Sequence, residues 1–268
     1  MKTAFVTLTD TSYYPRALKT IQDLRTRGGW DGDILLLCVE FDPPQELETM
    51  DVIGERIQHI DHQPLFDIWS KYPLKPMADN RHYGKVYQWD KLQVFSPAVL
   101  KRWDRIVFLD AGLRVTGPVA PLLELPAGHF YAPDDSDPYD NGNRFRVQLD
   151  LPAHPPCTSK LLDTFGDSIL NEKYFLNCIF MFDTSSIPQN AFDTMSKWML
   201  EYPMMCCNEM GIMNLFFTFH TKLWKPFPQR VMTSAGEKYL FGWSEYNYKP
   251  FPSWQEFCFL KYPASLKD

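Results

Sequence analysis

The stretch Arg105-Ile106-Val107-Phe108-Leu109-Asp110-Ala111-Gly112 constrains this chain more than any other, because it is a buried-strand pattern that ends abruptly in a carboxylate. Four consecutive apolar residues, β-branched and aromatic types among them, suit a strand covered on both faces of a mostly parallel sheet. Asp110 then stands at the strand's carboxyl end, and in an open α/β sheet ligands bind outside that edge. A simple strand-terminating turn uses the same Asp-x-Gly residues, so the position by itself supports both chemistry and punctuation.

The preceding residues build a frame that such a strand can join. Residues 3–10 (TAFVTLTD) predict a first strand, and Leu18, Ile21 and Leu24 predict a helix that Gly28-Gly29 stops. Residues 33–39 (DILLLCV) predict a second strand; a short helix after Pro43-Pro44 and a third strand over 56–60 complete a Rossmann-like opening. Thr9-Asp10-Thr11-Ser12-Tyr13 stands where a dinucleotide fold carries G-x-G-x-x-G. A dinucleotide cofactor is therefore not expected, while a nucleotide at this edge still is.

Beyond that frame the expectations are coarser. Pro64, Pro73 and Pro76 predict an ordered or closing loop over 64–80, followed by a helix over 83–96 that carries Lys85 and Lys91. Residues 128–133 (GHFYAP) predict a short strand, and 134–160, with four prolines, a long surface loop. Residues 174–183 (YFLNCIFMFD) form a second buried-strand pattern with Asn177 inside it. A buried amide needs hydrogen-bond partners, so Asn177 points to a site more strongly than any single lysine does. A surface helix follows Pro188, and Asn208 is expected to cap an apolar helix over 209–220. The aromatic and proline-rich last fifty residues are expected to wrap over the sheet.

Composition narrows the partners. A 268-residue chain that is 45% hydrophobic and 15% aromatic fills the core of one α/β domain. A net charge of −6 with no Lys/Arg cluster along the sequence disfavours a nucleic-acid partner. No signal-peptide pattern or run of about 20 apolar residues is present, so a soluble, cytoplasmic protein without a membrane span is expected. Six cysteines without a C-x-x-C pair indicate neither a disulfide framework nor a structural zinc site.

The order of these features resembles the glycogenin-like, family 8-type GT-A nucleotide-sugar glycosyltransferases. Residues 4–10 with Tyr13, Ala17 and Leu18 are similar to that family's first strand and helix, and Trp89-Asp90-Lys91-Leu92 to its T-K-L segment. Residues 104–112 resemble its D-R-V-x-F-L-D-A-D. Tyr131-Ala132-Pro133-Asp134, Phe175-Leu176-Asn177 and Asn208-Glu209-Met210-Gly211-Ile212-Met213-Asn214 resemble A-A-P-D, F-N-S-G and D-Q-G-x-x-N. The resemblance covers residues 4 to 215 in the family's order. It implies an α/β, GT-A (Rossmann-like) fold, a mostly parallel mixed sheet flanked by helices in a single domain over 1–268. Residues 1–115 would be the nucleotide-binding half; 116–268 would hold the sugar and acceptor half and the aromatic C-terminal wrap.

The implied activity is transfer of a hexosyl or pentosyl group from a nucleotide-diphosphate sugar, a UDP-sugar foremost, to a hydroxyl of a glycan or protein-glycan acceptor. By resemblance, Leu8, Thr9 and Tyr13 would line the base pocket, Lys91 would face the ribose or diphosphate, Lys261 would reach the diphosphate, and Asp110 would sit by the ribose and any metal. Asp134 and Asn177 would bind sugar hydroxyls, and Glu209 would be the catalytic-region acid. Such residue types suit the reaction, because cleavage builds positive charge on the anomeric carbon and negative charge on the departing diphosphate. The chain departs from the family at D-x-D, which is Asp110-Ala111-Gly112; at the Gln of D-Q-G, which is Met210; and at the late metal-ligand His, near Cys258 and Phe257, where no His stands. Similar D-A-G and N-E-x-G-I-M-N patterns resemble a divergent branch of these transferases. With Asp110 as the remaining metal candidate, Mn²⁺ or Mg²⁺ is expected to bind weakly and with the donor, lysines carrying more of the leaving-group charge. Two other readings fit less of the pattern: a nucleotide-sugar-binding module without catalysis, and a glycoside hydrolase using an Asp or Glu pair.

Overall fold

The computed structural model describes residues 1–75 and 84–266. Strands β1 (Thr3–Thr9), β2 (Asp33–Val39), β3 (Ile53–Ile57) and β4 (Arg105–Leu109) run parallel. After the short β5 (Arg114–Val115), strands β6 (Phe130–Ala132), β7 (Ile179–Asp183) and β8 (Trp224–Pro226) extend that sheet. Among the described residues its order is β3-β2-β1-β4-β7-β6-β8, with β7 antiparallel to both β4 and β6. Strands β9 (Arg230–Thr233), β10 (Gly236–Gly242) and β11 (Phe257–Leu260) pair with β5 in a second sheet, ordered β5-β11-β10-β9.

The apolar run in β4 follows from its central place. Ile106 and Phe108 enter one hydrophobic cluster, while Val107 and Leu109 enter the cluster on the opposite face. Every residue of the strand is buried, so polar alternation has no face to occupy. Aromatic stacking fills the first cluster: Phe108 lies on Phe180 at 4.8 Å between centroids and Phe130 on Phe217 at 3.9 Å. Truncating one such ring to alanine costs about 3–5 kcal/mol.

The antiparallel turn of β7 positions the site. Leu109 pairs with Ile179, so the chain enters β7 where β4 ends. The Asp110 amide donates to the Cys178 carbonyl at 2.8 Å, which brings Asn177, one residue earlier, to the same sheet edge. The strand therefore begins at Ile179, later than expected, and Asn177 sits in its approach rather than inside it.

Several other expectations change. The third strand covers Ile53–Ile57 instead of 56–60. Residues Gln63–Lys71 form a helix, not a loop; Pro64 occupies its first turn, where a missing N–H is not needed, and Leu65 and Trp69 are buried. Pro76 in the expected loop and the expected helix start at residue 83 lie outside the described residues. Val86–Phe95 is a 3₁₀ helix. The expected loop over 134–160 contains a 3₁₀ turn, Phe145–Gln148, that buries Phe145 and Gln148, and the start of a helix, Pro155–Phe165, that Pro155-Pro156 open. The C-terminal aromatics build a sheet of their own instead of only wrapping the first. No helix among the described residues is long and apolar enough to cross a membrane.

Candidate active site

A cleft of about 1060 Å³ lies along the carboxyl edge of β1 and β4. The β1 end contributes Leu8, Thr9 and Asp10, the following turn Ser12 and Tyr13, and β2 Val39. Asp10 shapes this end, since its Oδ1 accepts from the Tyr13 amide at 2.9 Å and the Ser12 hydroxyl at 2.7 Å. Thr9 is nearly buried, whereas the Tyr13 ring is exposed and has the Arg16 guanidinium over it at 5.0 Å.

The 3₁₀ helix supplies the floor. At three residues per turn, residues three apart share a row, and Lys85, Gln88 and Lys91 all line the cleft. Two buried side chains fix that helix. Asp90 accepts from the Ile60 amide at 2.7 Å and contacts His59 Nδ1 at 2.6 Å, and Asn208 donates to the Lys85 carbonyl at 3.0 Å. Asn208 thus does not cap its helix with its side chain; it stands at φ 51° and reaches across to the cleft floor instead.

Four charged groups meet behind that floor. Lys91 Nζ contacts Asp110 Oδ1 and Glu209 Oε1, each at 2.9 Å, and donates to the Asn177 carbonyl at 3.2 Å. Asn177 Nδ2 donates to Glu209 Oε1 at 2.8 Å, while Lys261 Nζ donates to Asp110 Oδ2 at 2.8 Å. Lys261 reaches this point because β11 pairs with β5, placing Leu260 opposite Arg114 just past the Asp110 turn. Thr20 holds the turn from below: it accepts from the Gly112 amide at 3.0 Å and donates to the Leu113 carbonyl at 2.9 Å.

The electrostatics follow from this geometry. Burial pulls the Lys91 ammonium downward, yet Asp110 and Glu209 outweigh that and hold it above the usual lysine range. Burial likewise opposes charge on Lys261 and Asp110, but their pairing raises the one and, with Lys91, lowers the other. Glu209 behaves differently. Burial pushes its carboxyl up, and Lys91 and Asn177 offset this only in part. Its Oε2 is buried without a hydrogen-bond partner among the described residues.

Most of the expected site residues therefore converge: Leu8, Thr9, Tyr13, Lys91, Asp110 and Lys261 line one cleft, with Asn177 and Glu209 packed behind Lys91. Asp134 is held elsewhere. Its Oδ1 accepts from the Ser136 amide at 2.9 Å and hydroxyl at 2.7 Å, its Oδ2 contacts Lys173 at 3.0 Å, and it is absent from the cleft wall. Two contributors escaped sequence reasoning. Arg16 lines the cleft beside Gly112, and the buried Asn214 holds the Asn177 approach by accepting from the Phe175 amide at 2.9 Å and donating to its carbonyl at 3.0 Å. A buried amide in an apolar helix was the available signal for Asn214; Arg16 carried none.

These residues do not fit a divalent cation. Both Asp110 oxygens already face ammonium groups, and among the described residues no three His, Cys, Asp or Glu side chains are grouped to hold a metal. Gly112 offers no side chain. Cys258 is buried in the apolar cluster of the second sheet, where burial pushes its thiol up to about 11.

Neither a protein-family model nor a curated protein matches the sequence. Solved structures do match the fold. The chain is similar to a galactosyltransferase, LgtC, solved with donor and acceptor sugar analogues: TM-score 0.59 and 13% identity, over 97% of this chain and 86% of that one. It is similar also to core-mannan synthase A (CmsA/Ktr4) of Aspergillus fumigatus in a Mn/GDP form, with TM-score 0.54 and 9% identity over 85% and 73% of the two chains. A third is the mannosyltransferase Ktr4p of S. cerevisiae, with TM-score 0.50 and 10% identity over 84% and 68%. The fold is the expected α/β arrangement of GT-A glycosyltransferases, a mostly parallel seven-stranded sheet flanked by helices among the described residues.

Proposed function

We propose that this chain transfers a glycosyl group from a nucleoside-diphosphate sugar, a UDP-sugar foremost, to a hydroxyl of a glycan acceptor. The observation that carries the reading is the joining of Lys91, Asp110, Glu209, Asn177 and Lys261 at the floor of a cleft whose other end is bounded by Leu8, Val39 and Tyr13. A fold shared with glycosyltransferases supports it by analogy.

In this reading the base lies against Leu8, Thr9 and Tyr13, and the diphosphate extends toward Lys91 and Lys261. The glycosyl–oxygen bond to the diphosphate breaks, and the bonding electrons leave with the phosphate oxygen. The acceptor oxygen forms the new bond at the anomeric carbon, and its proton passes to the departing diphosphate or to water. Lysine hydrogen bonds to the leaving group contribute about 1.5–3 kcal/mol each. Glu209, packed behind Lys91 with its Oε2 lacking a donor, adds the negative charge that stabilises the charge developing on the sugar. Asp134 holds its own loop through Ser136 and Lys173.

Incubation of the purified chain with UDP-, GDP- and ADP-sugars, with and without sugar acceptors, tests this. Release of nucleoside diphosphate coupled to acceptor glycosylation is expected. Binding without consumption would leave a nucleotide-sugar-binding module, and neither binding nor consumption would overturn the reading.

A further inference from the structure

The sequence shows no basic cluster, yet the fold gathers one. Arg16, Lys19, Lys85, Lys91, Arg114 and Lys261 all line the cleft, against the carboxylates of Asp10 and Asp110, in a chain whose net charge is −6. Arg114 is committed to Asp23. Arg16 is not: it is exposed and makes no ion pair with any described residue. Its side chain crosses Gly112, lying 3.5 Å from where a Cβ on that glycine would stand. A cationic arm thus lies beside the place from which a second acidic side chain would reach a metal.

We propose that Lys91, Lys261 and Arg16 together do the work of a divalent cation here, binding the diphosphate of the donor without metal. The inference rests on the nucleotide-sugar reading above and specifies how the leaving group is held. Two ammonium groups flank Asp110 at 2.9 and 2.8 Å, so a divalent ion approaching its oxygens meets fixed positive charge. A diphosphate meets the reverse situation. Its oxygens accept hydrogen bonds from the lysines as they turn partly away from Asp110, and the planar Arg16 fork donates two parallel bonds to a phosphate. Arg16 and Lys19 stand one helical turn or less apart on Tyr14–Thr26, whose Thr20 holds the Asp110-Gly112 turn, so the helix that carries Arg16 and the turn that carries Asp110 are fixed relative to each other.

Calorimetric titration of the full chain with UDP, GDP and ADP, in excess EDTA and in excess Mn²⁺, tests the proposal. At least one diphosphate is expected to bind in EDTA within about threefold of its affinity in Mn²⁺, where a metal-bridged diphosphate would lose far more. Arg16→Gln, at an exposed side chain, is expected to weaken diphosphate binding about tenfold while changing binding of the matching nucleoside by less than about twofold. Lys261→Met should lower affinity further, but it takes one of the two ammonium partners from Asp110, so Arg16→Gln is the decisive variant. Diphosphate binding that requires Mn²⁺, or that ignores Arg16→Gln, overturns the proposal and leaves the nucleotide-sugar reading intact. Failure of every diphosphate to bind under both conditions overturns both.

Discussion

Lys261 Nζ donates to Asp110 Oδ2 at 2.8 Å, joining residues 151 positions apart and tying the second sheet to the carboxyl edge of the first. Asp110 thereby bridges two ammonium groups that are themselves largely withdrawn from water. Asp110→Asn leaves Lys91 paired with Glu209 and Lys261 without a carboxylate among the described residues, a loss of about 2–3 kcal/mol, at or just below the usual range for breaking a buried pair because Asp110 is half-buried. The sign with pH is definite. The folded Asp110 carboxyl is held below its ordinary value of 3.8, so its stabilisation is present above that pH and is lost as pH falls through the lower folded value. Urea denaturation should show the full gap between variant and parent at neutral pH and a shrinking gap in acid. Equal stability at neutral pH would mean that the pairing adds nothing.

Glu209 titrates in the opposite sense. Its raised carboxyl takes up a proton before Asp110 does on acidification, so loss of turnover should begin above the ordinary glutamate range. Glu209→Gln should lower kcat by about 10²-fold or more, equivalent to about 3 kcal/mol of transition-state stabilisation, and remove that acid limb. Asn177→Ala, which takes a 2.8 Å donor from Glu209, should lower kcat similarly and move the limb further upward. A pH–rate profile unchanged in Glu209→Gln would remove Glu209 from the chemistry.

Asn214 acts one step back from the cleft. Its amide satisfies both backbone groups of Phe175 and donates to the Met210 carbonyl at 2.9 Å, pinning the Asn177 approach to the helix that carries Glu209. Asn214→Ala should destabilise the fold by about 2–4 kcal/mol, since buried backbone groups lose their partners. It should also lower kcat more than it raises the donor KM, because the misplaced groups sit behind the cleft floor rather than at its Leu8–Tyr13 end. Asn214→Asp, which keeps an acceptor for the Phe175 amide, should recover part of the stability. Unchanged kcat in a folded Asn214→Ala protein would separate this amide from the site.

How much of this was legible depended on how local each cause is. β4 could be found because burial on both faces writes an unbroken apolar run, and Asn177 because an amide stands out in such a run. The helix Gln63–Lys71 was hidden by Pro64, a residue that breaks a helix interior but suits its first turn. Lys91 and Lys261 carried weak signals, since a lysine on a helix or after a strand is ordinarily solvated. Their meeting at Asp110 depends on β7 running antiparallel and on β11 pairing with β5, and neither is written near those residues. The basic cleft was invisible for the same reason: its six cations come from four separate segments of the sequence.

Gly112→Asp restores the second acid of D-x-D and tests whether that position can still serve a metal. Gly112 stands at φ 89°, a left-handed conformation that a side-chain-bearing residue adopts at a cost of about 1–2 kcal/mol. Space is not the obstacle, because the nearest atom to an added Cβ is Arg16 Cδ at 3.5 Å, an ordinary contact. The obstacle is charge. A carboxylate there meets the Arg16 guanidinium first and pairs with it, withdrawing a cation from the diphosphate and leaving the oxygens of Asp110 still held by Lys91 and Lys261. The variant should therefore be less stable by about 1–2 kcal/mol, bind nucleoside diphosphate more weakly in EDTA, and gain no tight Mn²⁺ binding without nucleotide. Denaturation, calorimetry with nucleoside diphosphate and calorimetry with Mn²⁺ alone check the three outcomes in turn. Submicromolar Mn²⁺ binding by this variant would show that the lysines yield Asp110 to a metal once a second carboxylate is present.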